Sequence, residues 1–153
     1  MATIRPATLE DVLGITALLC QLGYPETPED VREHLSALCG QADSAILVAQ
    51  DDRGRLTGCA QVLIDHRLAE GRRGEIASIV VDGRLRGRGT GARLVQAAGA
   101  WLASRGVQRM RVRCNAARDR ARRFYERLGF QLTKTQNVFD IPIDGLSGPS
   151  AEV

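Results

Sequence analysis

The segment from residue 75 to residue 103 constrains the fold more than any other part of this sequence. It opens with a β-branched run, Glu75–Val81, which predicts a strand. The glycine-rich stretch Gly83–Gly91 follows, and then an amphipathic pattern that predicts a helix. The expected inward residues of that helix are Leu94, Val95, Ala98, Trp101 and Leu102. A strand, a glycine loop and a helix in direct succession predict an α/β arrangement.

The remaining elements are predicted from capping residues, turns and hydrophobic periodicity. Thr8 with Asp11 forms a capping-box-like start for a first helix, and Thr27 followed by Pro28 starts a second helix. Expected strands are 3–5, 45–50, 56–64, 75–81, 109–114, 130–132 and 137–141, and the last expected helix is 117–128. The polar segment 65–73 is expected to form a loop. The order βααβββαβαββ predicts a mixed α/β sheet with helices on its faces.

Length and composition are those of one globular domain. The chain has 153 residues, of which 25% are charged, and we expect a domain over residues 1–144 with a tail at 145–153. There is no run of about 18 apolar residues, and the first residues lack the apolar core of a signal peptide. We therefore expect a cytoplasmic protein with no membrane partner.

The cysteines are widely spaced without a CxxC pair, so we expect reduced, mostly buried thiols and no metal site.

Charge is distributed unevenly along the chain. Thirteen of the 18 acidic residues precede Gly83, and 13 arginines lie between Arg84 and Arg127. A basic second half favours a polyanionic ligand, either a nucleic acid or a phosphorylated cofactor, although ordinary solvated surface charge would give the same pattern. Three Phe, two Tyr and one Trp give the stacking of bases little support. We therefore expect no nucleic-acid partner.

The loop Arg86–Gly91 has the composition of an anion-binding site. Its three glycines permit a tight turn with outward-facing NH groups, and the N-terminus of the following helix favours a phosphate. A loop that needs glycine only for its turn is the alternative. The Gly-Lys-Ser/Thr of a P-loop is absent, and Gly87, Gly89 and Ala92 match only the spacing of the dinucleotide-binding motif, not its position at the first strand.

Two sequence blocks resemble the GCN5-related N-acetyltransferases, the GNAT family. Arg86, Gly89 and Gly91 match the family's phosphate-binding signature, Gln/Arg-x-x-Gly-x-Gly/Ala. Phe124–Phe130 matches the family's aromatic-Tyr-Glu-x-Leu-Gly-Phe ending, and the element order is similar over roughly residues 3–143. The resemblance implies a single-domain, mostly antiparallel twisted sheet flanked by helices on both faces. It also implies an enzyme that transfers the acetyl group of acetyl-CoA to a primary amine by direct attack in a ternary complex.

The resemblance further implies how the coenzyme is held. Main-chain NH groups of the loop are expected to bind the coenzyme A diphosphate; the loop residues are Arg86, Gly87, Arg88, Gly89, Thr90 and Gly91. The strand edge at Ile79, Val80 and Val81 is expected to bind the pantetheine arm as an added strand would. Asn115 looks like a polar contact with the coenzyme. A backbone amide of that strand is expected to polarise the thioester carbonyl.

Two side chains are candidates for proton transfer. Tyr125 resembles the family's general acid toward the departing thiolate, because a phenol with a pKa of about 10 is protonated at neutral pH. Packing beside Phe124 is the alternative reading of Tyr125. Glu75 is the candidate base, at a spacing from the loop that some family members use, and an exposed carboxylate paired with Arg72 or Arg73 is the alternative.

The sequence leaves the acceptor open between a small molecule and a protein amine. Tyr24, between the first two helices, either lines the acceptor pocket or covers the helix ends. His34 and His66 carry no expected role. A homodimer is a further expectation from the resemblance. The alternative function is a non-catalytic module that binds acyl-CoA.

Overall fold

The computed structural model of the chain describes residues 2–146 and 148. The chain forms two compact units, Met1–Cys114 and Asn115–Val153. Of the expected tail at 145–153, residues 147 and 149–153 lie outside the described residues. None of the helices in the described part of the chain is long and apolar enough to cross a membrane.

The first unit contains a five-stranded sheet and three helices. The strands are β1 (Thr3–Pro6), β2 (Ser44–Gln50), β3 (Leu56–Arg67), β4 (Gly71–Val81) and β5 (Met110–Val112), and the helices are α1 (Val12–Leu22), α2 (Pro28–Cys39) and α3 (Thr90–Ala103). The strands lie in chain order, β1-β2-β3-β4-β5. All pairs are antiparallel except β4 with β5, which is parallel. The mostly antiparallel mixed sheet is as predicted.

Helices α1 and α2 cover one face of the sheet. Val48, Cys59 and Val80 are cross-strand neighbours on this face, and they belong to one buried cluster with apolar residues of both helices. Val12, at the start of α1, and Leu35 of α2 are almost fully buried in this cluster. Burial of this apolar surface supplies much of the free energy that fixes these helices on the strands.

Helix α3 covers the opposite face. A Cβ atom added to Gly58 would lie 2.9 Å from Leu94, and one added to Gly74 would clash with Leu102. The two glycines therefore let the helix approach the strands closely. The expectation of helices on both faces is confirmed.

The predicted cap residues are confirmed by individual hydrogen bonds, and Thr8 caps a 3-10 turn, Leu9–Asp11, that leads into α1. The Thr27 side chain accepts from the Asp30 NH at the start of α2. The Thr8 side chain accepts from the Glu10 NH, and the Asp11 carboxylate accepts from the Thr8 NH, which completes a capping box. Asp11 also receives two 2.8 Å hydrogen bonds from the Arg5 guanidinium. β1 and the start of α1 are thereby joined by a buried carboxylate.

The expectation of a loop at 65–73 is wrong. Strands β3 and β4 continue through most of this segment, with Asp65 opposite Arg73 and Arg67 opposite Gly71. The segment has no hydrophobic alternation because it extends beyond the helices, where its side chains meet solvent and one another. Cross-strand and local ion pairs replace apolar burial there, for example between Arg67 and Asp65 at 2.6 Å.

A β-bulge interrupts the middle of β4. Gln61 of β3 pairs with Ser78 and the next residue, Val62, pairs with Ile76, so Ala77 has no partner. Ala77 is exposed although residues on both sides of it are at least half-buried. An extra residue of this kind bends its strand and increases the local twist.

The second unit contains one helix, α4 (Asp119–Arg127), in its described residues. The strands expected at 130–132 and 137–141 are not formed, and Leu132, Val138 and Phe139 are exposed. A strand requires a neighbouring strand to pair its NH and CO groups, and hydrophobic alternation alone does not supply one.

The expectation of mostly buried cysteines is also wrong. All four thiols are free, as expected, but Cys20, Cys39 and Cys114 are exposed. Cys59 alone among them is buried, and burial raises its pKa to about 12. Exposure of a cysteine depends on which face of its helix or strand meets the core, and the spacing of cysteines alone does not determine that face.

Candidate functional site

Strand β4 has an open edge beyond its bulge. β5 pairs with β4 only from Gly74 to Ile76. From Ala77 onward, no strand in the described residues pairs with that side of β4. The segment expected to hold the pantetheine arm, Ile79–Val81, lies on this open stretch, and its other side pairs with β3. The main-chain donors and acceptors of this edge are therefore free to bind an extended ligand.

The loop after β4 begins with an ordered turn at Asp82. The Asp82 NH donates to the Thr57 carbonyl at 2.9 Å, and its carboxylate accepts from the Arg84 NH at 3.0 Å. The Leu85 NH donates back to the Asp82 carbonyl, which closes a short 3-10 turn at Gly83–Leu85. This turn sets the direction in which the glycine loop leaves the sheet.

The glycine loop then presents its NH groups to solvent. Gly87 and Gly89 have φ values of +83° and +79°, a backbone conformation that side chains other than hydrogen disfavour. Gly89 is the N-cap of α3, and it has no side chain to occupy the helix end. Within the described residues, no protein group accepts a hydrogen bond from the NH groups of residues 87–91. Unpaired NH groups at a helix N-terminus form a site for a phosphate.

Asp82 is held as a carboxylate beneath this loop. The Arg84 guanidinium, which donates to both of its oxygens, lowers the pKa of Asp82 to about 2, with help from the Arg84 NH and the Gln21 side chain. The Asp82 side chain is 8% exposed. A permanent negative charge at this position fixes Arg84 and the turn, and it is not a group that exchanges protons near neutral pH.

Glu75 lies on β4 opposite β5 and contacts two arginines. Its Oε1 accepts from Arg111 Nε at 2.9 Å and lies 3.2 Å from Arg113 Nε. The expected alternative partners, Arg72 and Arg73, are not its partners. Its other oxygen, Oε2, has no protein hydrogen bond among the described residues. The arginines therefore anchor one oxygen of Glu75 and leave the second available to a water molecule or a substrate.

Arg111 connects Glu75 to the end of the β3–β4 hairpin. It donates to Asp65 at 2.7 Å and contacts Glu70 at 3.4 Å, in addition to its bond with Glu75. Its side chain is only 21% exposed. A half-buried arginine shared by three carboxylates fixes the direction of the Glu75 side chain.

Tyr125 and Asn115 belong to the second unit. The Tyr125 ring is buried and packs edge-on against Phe124, with centroids 5.0 Å apart, and against Phe130 at 5.5 Å. The aromatic packing that we considered as an alternative role is thus present, and it is compatible with a directed hydroxyl. The Asn115 Oδ1 accepts from the Ala117 NH at 2.9 Å, so this side chain shapes the turn before α4.

The residues near the predicted acceptor side are largely solvent-exposed. Tyr24 is 55% exposed and follows Gly23, whose φ of +101° ends α1. His34 is exposed on α2, and His66 contacts Asp43 at 3.0 Å on the surface. Neither histidine contacts another candidate site residue within the described part of the chain.

Sequence reasoning missed three residues that shape this site. Ala77 gave no sign of its bulge, because a bulge depends on the pairing with β3. Asp82 could have been found, since Asp followed by Gly after a strand is typical of a turn. Gln21 could not: it lies 62 residues from the loop, and its Oε1 accepts from the Gly83 NH at 2.8 Å.

The comparisons with known proteins agree with this arrangement. Residues 12–130 match the model of the acetyltransferase (GNAT) family. Glucosamine 6-phosphate N-acetyltransferase 1 from Oryza sativa subsp. japonica is 36% identical, over 83% of this chain and 79% of that protein.

Solved structures also share the fold. The glucosamine-6-phosphate N-acetyltransferase of Arabidopsis thaliana superimposes with a TM-score of 0.82 at 23% identity, covering 93% of this chain and 99% of that chain. AAC(6')-Iy in complex with the bisubstrate analogue CoA-S-monomethyl-acetylneamine has a TM-score of 0.83 at 19% identity, covering 93% and 99%. The family model spans strands β2 to β5, the glycine loop and the aromatic helix, and the chain therefore belongs to the acetyltransferase (GNAT) family.

Proposed function

We propose that this N-acetyltransferase transfers the acetyl group of acetyl-CoA to the primary amine of a small molecule. The observation that carries the proposal is the set of unpaired NH groups at residues 87–91, which continues from the open edge of β4. A diphosphate fits the NH groups of residues 87–91, because its oxygens need several hydrogen-bond donors in fixed positions. An extended amide-containing arm fits the second, because it can pair with a strand edge.

The coenzyme would be held mainly by the backbone. NH groups from Arg86 to Gly91 bind the diphosphate, and Ile79, Val80 and Val81 pair with the pantetheine arm. A main-chain NH of the open edge then polarises the thioester carbonyl and stabilises the charge that develops on its oxygen. Asn115 is proposed as a further polar contact with the coenzyme.

The reaction proceeds by direct attack within a ternary complex. Glu75, through Oε2 or a water bound to it, accepts a proton from the acceptor ammonium, whose ordinary pKa is about 10.4. The amine nitrogen forms a bond to the acetyl carbon, and the carbon–sulfur bond breaks. Tyr125 donates its proton to the departing thiolate and is reprotonated, directly or through water, by the second proton that the new amide nitrogen loses, while Glu75 releases its proton to solvent. Much of the rate comes from holding the two substrates together.

Glucosamine 6-phosphate is the first acceptor to test. The support is the 36% identity with a rice enzyme named for that substrate. Arg113 adds a physical reason, since its side chain is 55% exposed beside Glu75 and could pair with an anionic group on the acceptor. A small acceptor carrying both an ammonium and a phosphate would meet the Glu75 carboxylate on β4 and the Arg113 guanidinium just after β5.

The experiment measures free thiol released from acetyl-CoA in the presence of single acceptors. We expect turnover with glucosamine 6-phosphate, and less with unphosphorylated glucosamine, an aminoglycoside, a polyamine or a peptide amine. Tyr125→Phe should lower kcat at least tenfold with little change in the Kd for acetyl-CoA. Unfolding of Tyr125→Phe in urea is the control, because a variant as stable as the wild type has lost the hydroxyl and kept the fold. Binding of acetyl-CoA without thiol release from any acceptor would instead indicate a non-catalytic module.

A further inference from the structure

The end of helix α1 is joined to the loop that leaves β4. Gln21 lies one residue before the last residue of α1, and its side-chain Oε1 accepts from the Gly83 NH at 2.8 Å. The Gln21 side chain also contributes to the lowered pKa of the Asp82 carboxyl, which precedes Gly83 and lines the same cleft as Gln21. Gln21 therefore binds one of the two residues that begin the turn before the glycine loop and lies in the same cleft as the other.

The position of this turn determines where the loop NH groups point. Asp82 and Gly83 are fixed to β3 and α1 by single hydrogen bonds, from the Asp82 NH to Thr57 and from the Gly83 NH to Gln21. Residues 86–91 have no comparable protein contacts through their own NH groups within the described chain. The hydrogen bonds of the Asp82 and Gly83 NH groups therefore set the orientation of the loop at its start.

We infer that Gln21 is a positioning residue for the coenzyme loop and that it links this loop to the connection between α1 and α2. The linkage is short: Gly23 begins that connection two residues later, and Tyr24 follows it. If a bound diphosphate shifts the loop, the Gln21–Gly83 hydrogen bond transmits that shift to the end of α1. The end of α1 lies on the side where we place the acceptor. The inference rests on the proposed function, because it assumes that the loop binds acetyl-CoA.

The surroundings of Gln21 suit this role. Gln21 lines an open cleft of about 360 Å³ together with charged side chains from the turn before α1, the turn between β2 and β3, and the loop after β4. The charged residues of that cleft are Glu10, Asp11, Arg55, Asp82 and Arg84. A neutral amide can accept from the Gly83 NH and donate to the Asp82 carboxylate at the same time, which neither an acid nor an apolar side chain can do at neutral pH.

The first test replaces Gln21 with a side chain of similar length that makes no hydrogen bond. Gln21→Met should raise the Kd for acetyl-CoA, measured by calorimetry, about threefold to tenfold, the effect expected from loss of one or two neutral hydrogen bonds. The kcat at saturating acetyl-CoA should stay within about twofold, since no reacting group is touched. Gln41→Met, at an exposed site after α2, is the control and should bind like the wild type.

The second test uses pH to separate positioning from a general loss of structure. In Gln21→Glu, the introduced carboxylate would face Asp82, and the repulsion raises the pKa of that introduced group above its usual value of about 4.3. Protonation at low pH restores a donor toward Asp82. The ratio of the variant Kd to the wild-type Kd should therefore be larger at pH 8 than at pH 5.5, whereas the ratio for Gln21→Met should be the same at both pH values.

The outcomes separate this inference from the proposed function. If the wild type binds acetyl-CoA and Gln21→Met binds it equally well, the positioning role is wrong while the proposed function stands. A pH-independent ratio for a folded Gln21→Glu would also count against it. If the wild type itself fails to bind acetyl-CoA, the proposed function fails first.

Discussion

Glu75 combines a fixed position with an unused oxygen. Its Oε1 is held by Arg111 and Arg113, and Arg111 is in turn held by Asp65 and Glu70. A catalytic carboxylate needs such a fixed direction, because proton transfer requires the acceptor oxygen within hydrogen-bonding distance of its donor. The same arrangement would serve a carboxylate whose role is to join β4 to β5. Activity measurements can distinguish these two roles.

Glu75→Gln removes the base and keeps an oxygen that can accept from the arginines. We expect kcat to fall about 100-fold or more, in the range typical for loss of a general base, with the KM for acetyl-CoA changed less than threefold. Glu70→Gln is the matched control, since Glu70 contacts Arg111 at 3.4 Å from the turn between β3 and β4. Equal losses in both variants would assign Glu75 a role in the arginine network alone.

At this scale, the sequence predicts individual residues better than their partners. The glycines of the loop and Glu75 were predicted as site residues from motif and spacing, which are local properties of the sequence. The pairing of Glu75 with Arg111 depends on the parallel register of two strands 36 residues apart, which no local pattern contains. The expected partners, Arg72 and Arg73, lie close to Glu75 in the sequence, but neither forms an ion pair with its carboxylate.

The junction between the glycine loop and α3 depends on backbone conformation at Gly89. With φ at +79°, an alanine there is strained by about 1–2 kcal/mol, although its Cβ would have open space around it. The loop of Gly89→Ala would relax in the free protein, and binding would have to restore it. We expect the Kd for acetyl-CoA to rise about fivefold to thirtyfold, as calorimetry can measure.

Gly106→Ala is the control for strain alone. Gly106 has a φ of +74° and open space around it, but it lies just beyond the other end of α3. Both variants should lose similar amounts of stability in urea, and only Gly89→Ala should bind acetyl-CoA more weakly. A comparable loss of affinity in Gly106→Ala would show that the effect comes from the stability of α3 and not from the loop.

Elements with local determinants were predicted well. Helix α2 begins at its predicted cap, Thr27, and Thr8 caps a 3-10 turn that leads into α1, because a cap and an apolar stripe are encoded within a few residues. The extension of β3 and β4 through 65–73 and the bulge at Ala77 were missed, because both depend on pairing between strands. The strands expected at 130–132 and 137–141 were predicted from apolar residues that have no partner strand among the described residues of the second unit.

Across the molecule, acidic side chains with lowered pKa values tie the ends of the strands to neighbouring elements. The Arg5 guanidinium lowers the pKa of Asp11, which is buried at the start of α1. The Arg84 guanidinium lowers that of Asp82 to about 2. A carboxyl whose pKa is lower in the folded than in the unfolded protein stabilises the fold fully above its unfolded pKa, and this contribution is lost as the pH falls through the folded value.

The free energy of unfolding should therefore fall between about pH 4 and pH 2, where Asp11 and Asp82 take up protons. In Asp82→Asn, stability measured in urea should be lower by about 1 kcal/mol at pH 7, a modest value because Arg84 is largely exposed and its charge is screened. The fall between pH 4 and pH 2 should shrink by the same amount, so that variant and wild type converge at the acid end. Asp140→Asn, at an exposed site without a protein partner among the described residues, should follow the wild type throughout. If Asp82→Asn keeps the full acid-dependent loss, the ion pair with Arg84 does not stabilise the folded protein. The turn before the glycine loop is then held by its backbone hydrogen bonds and by Gln21.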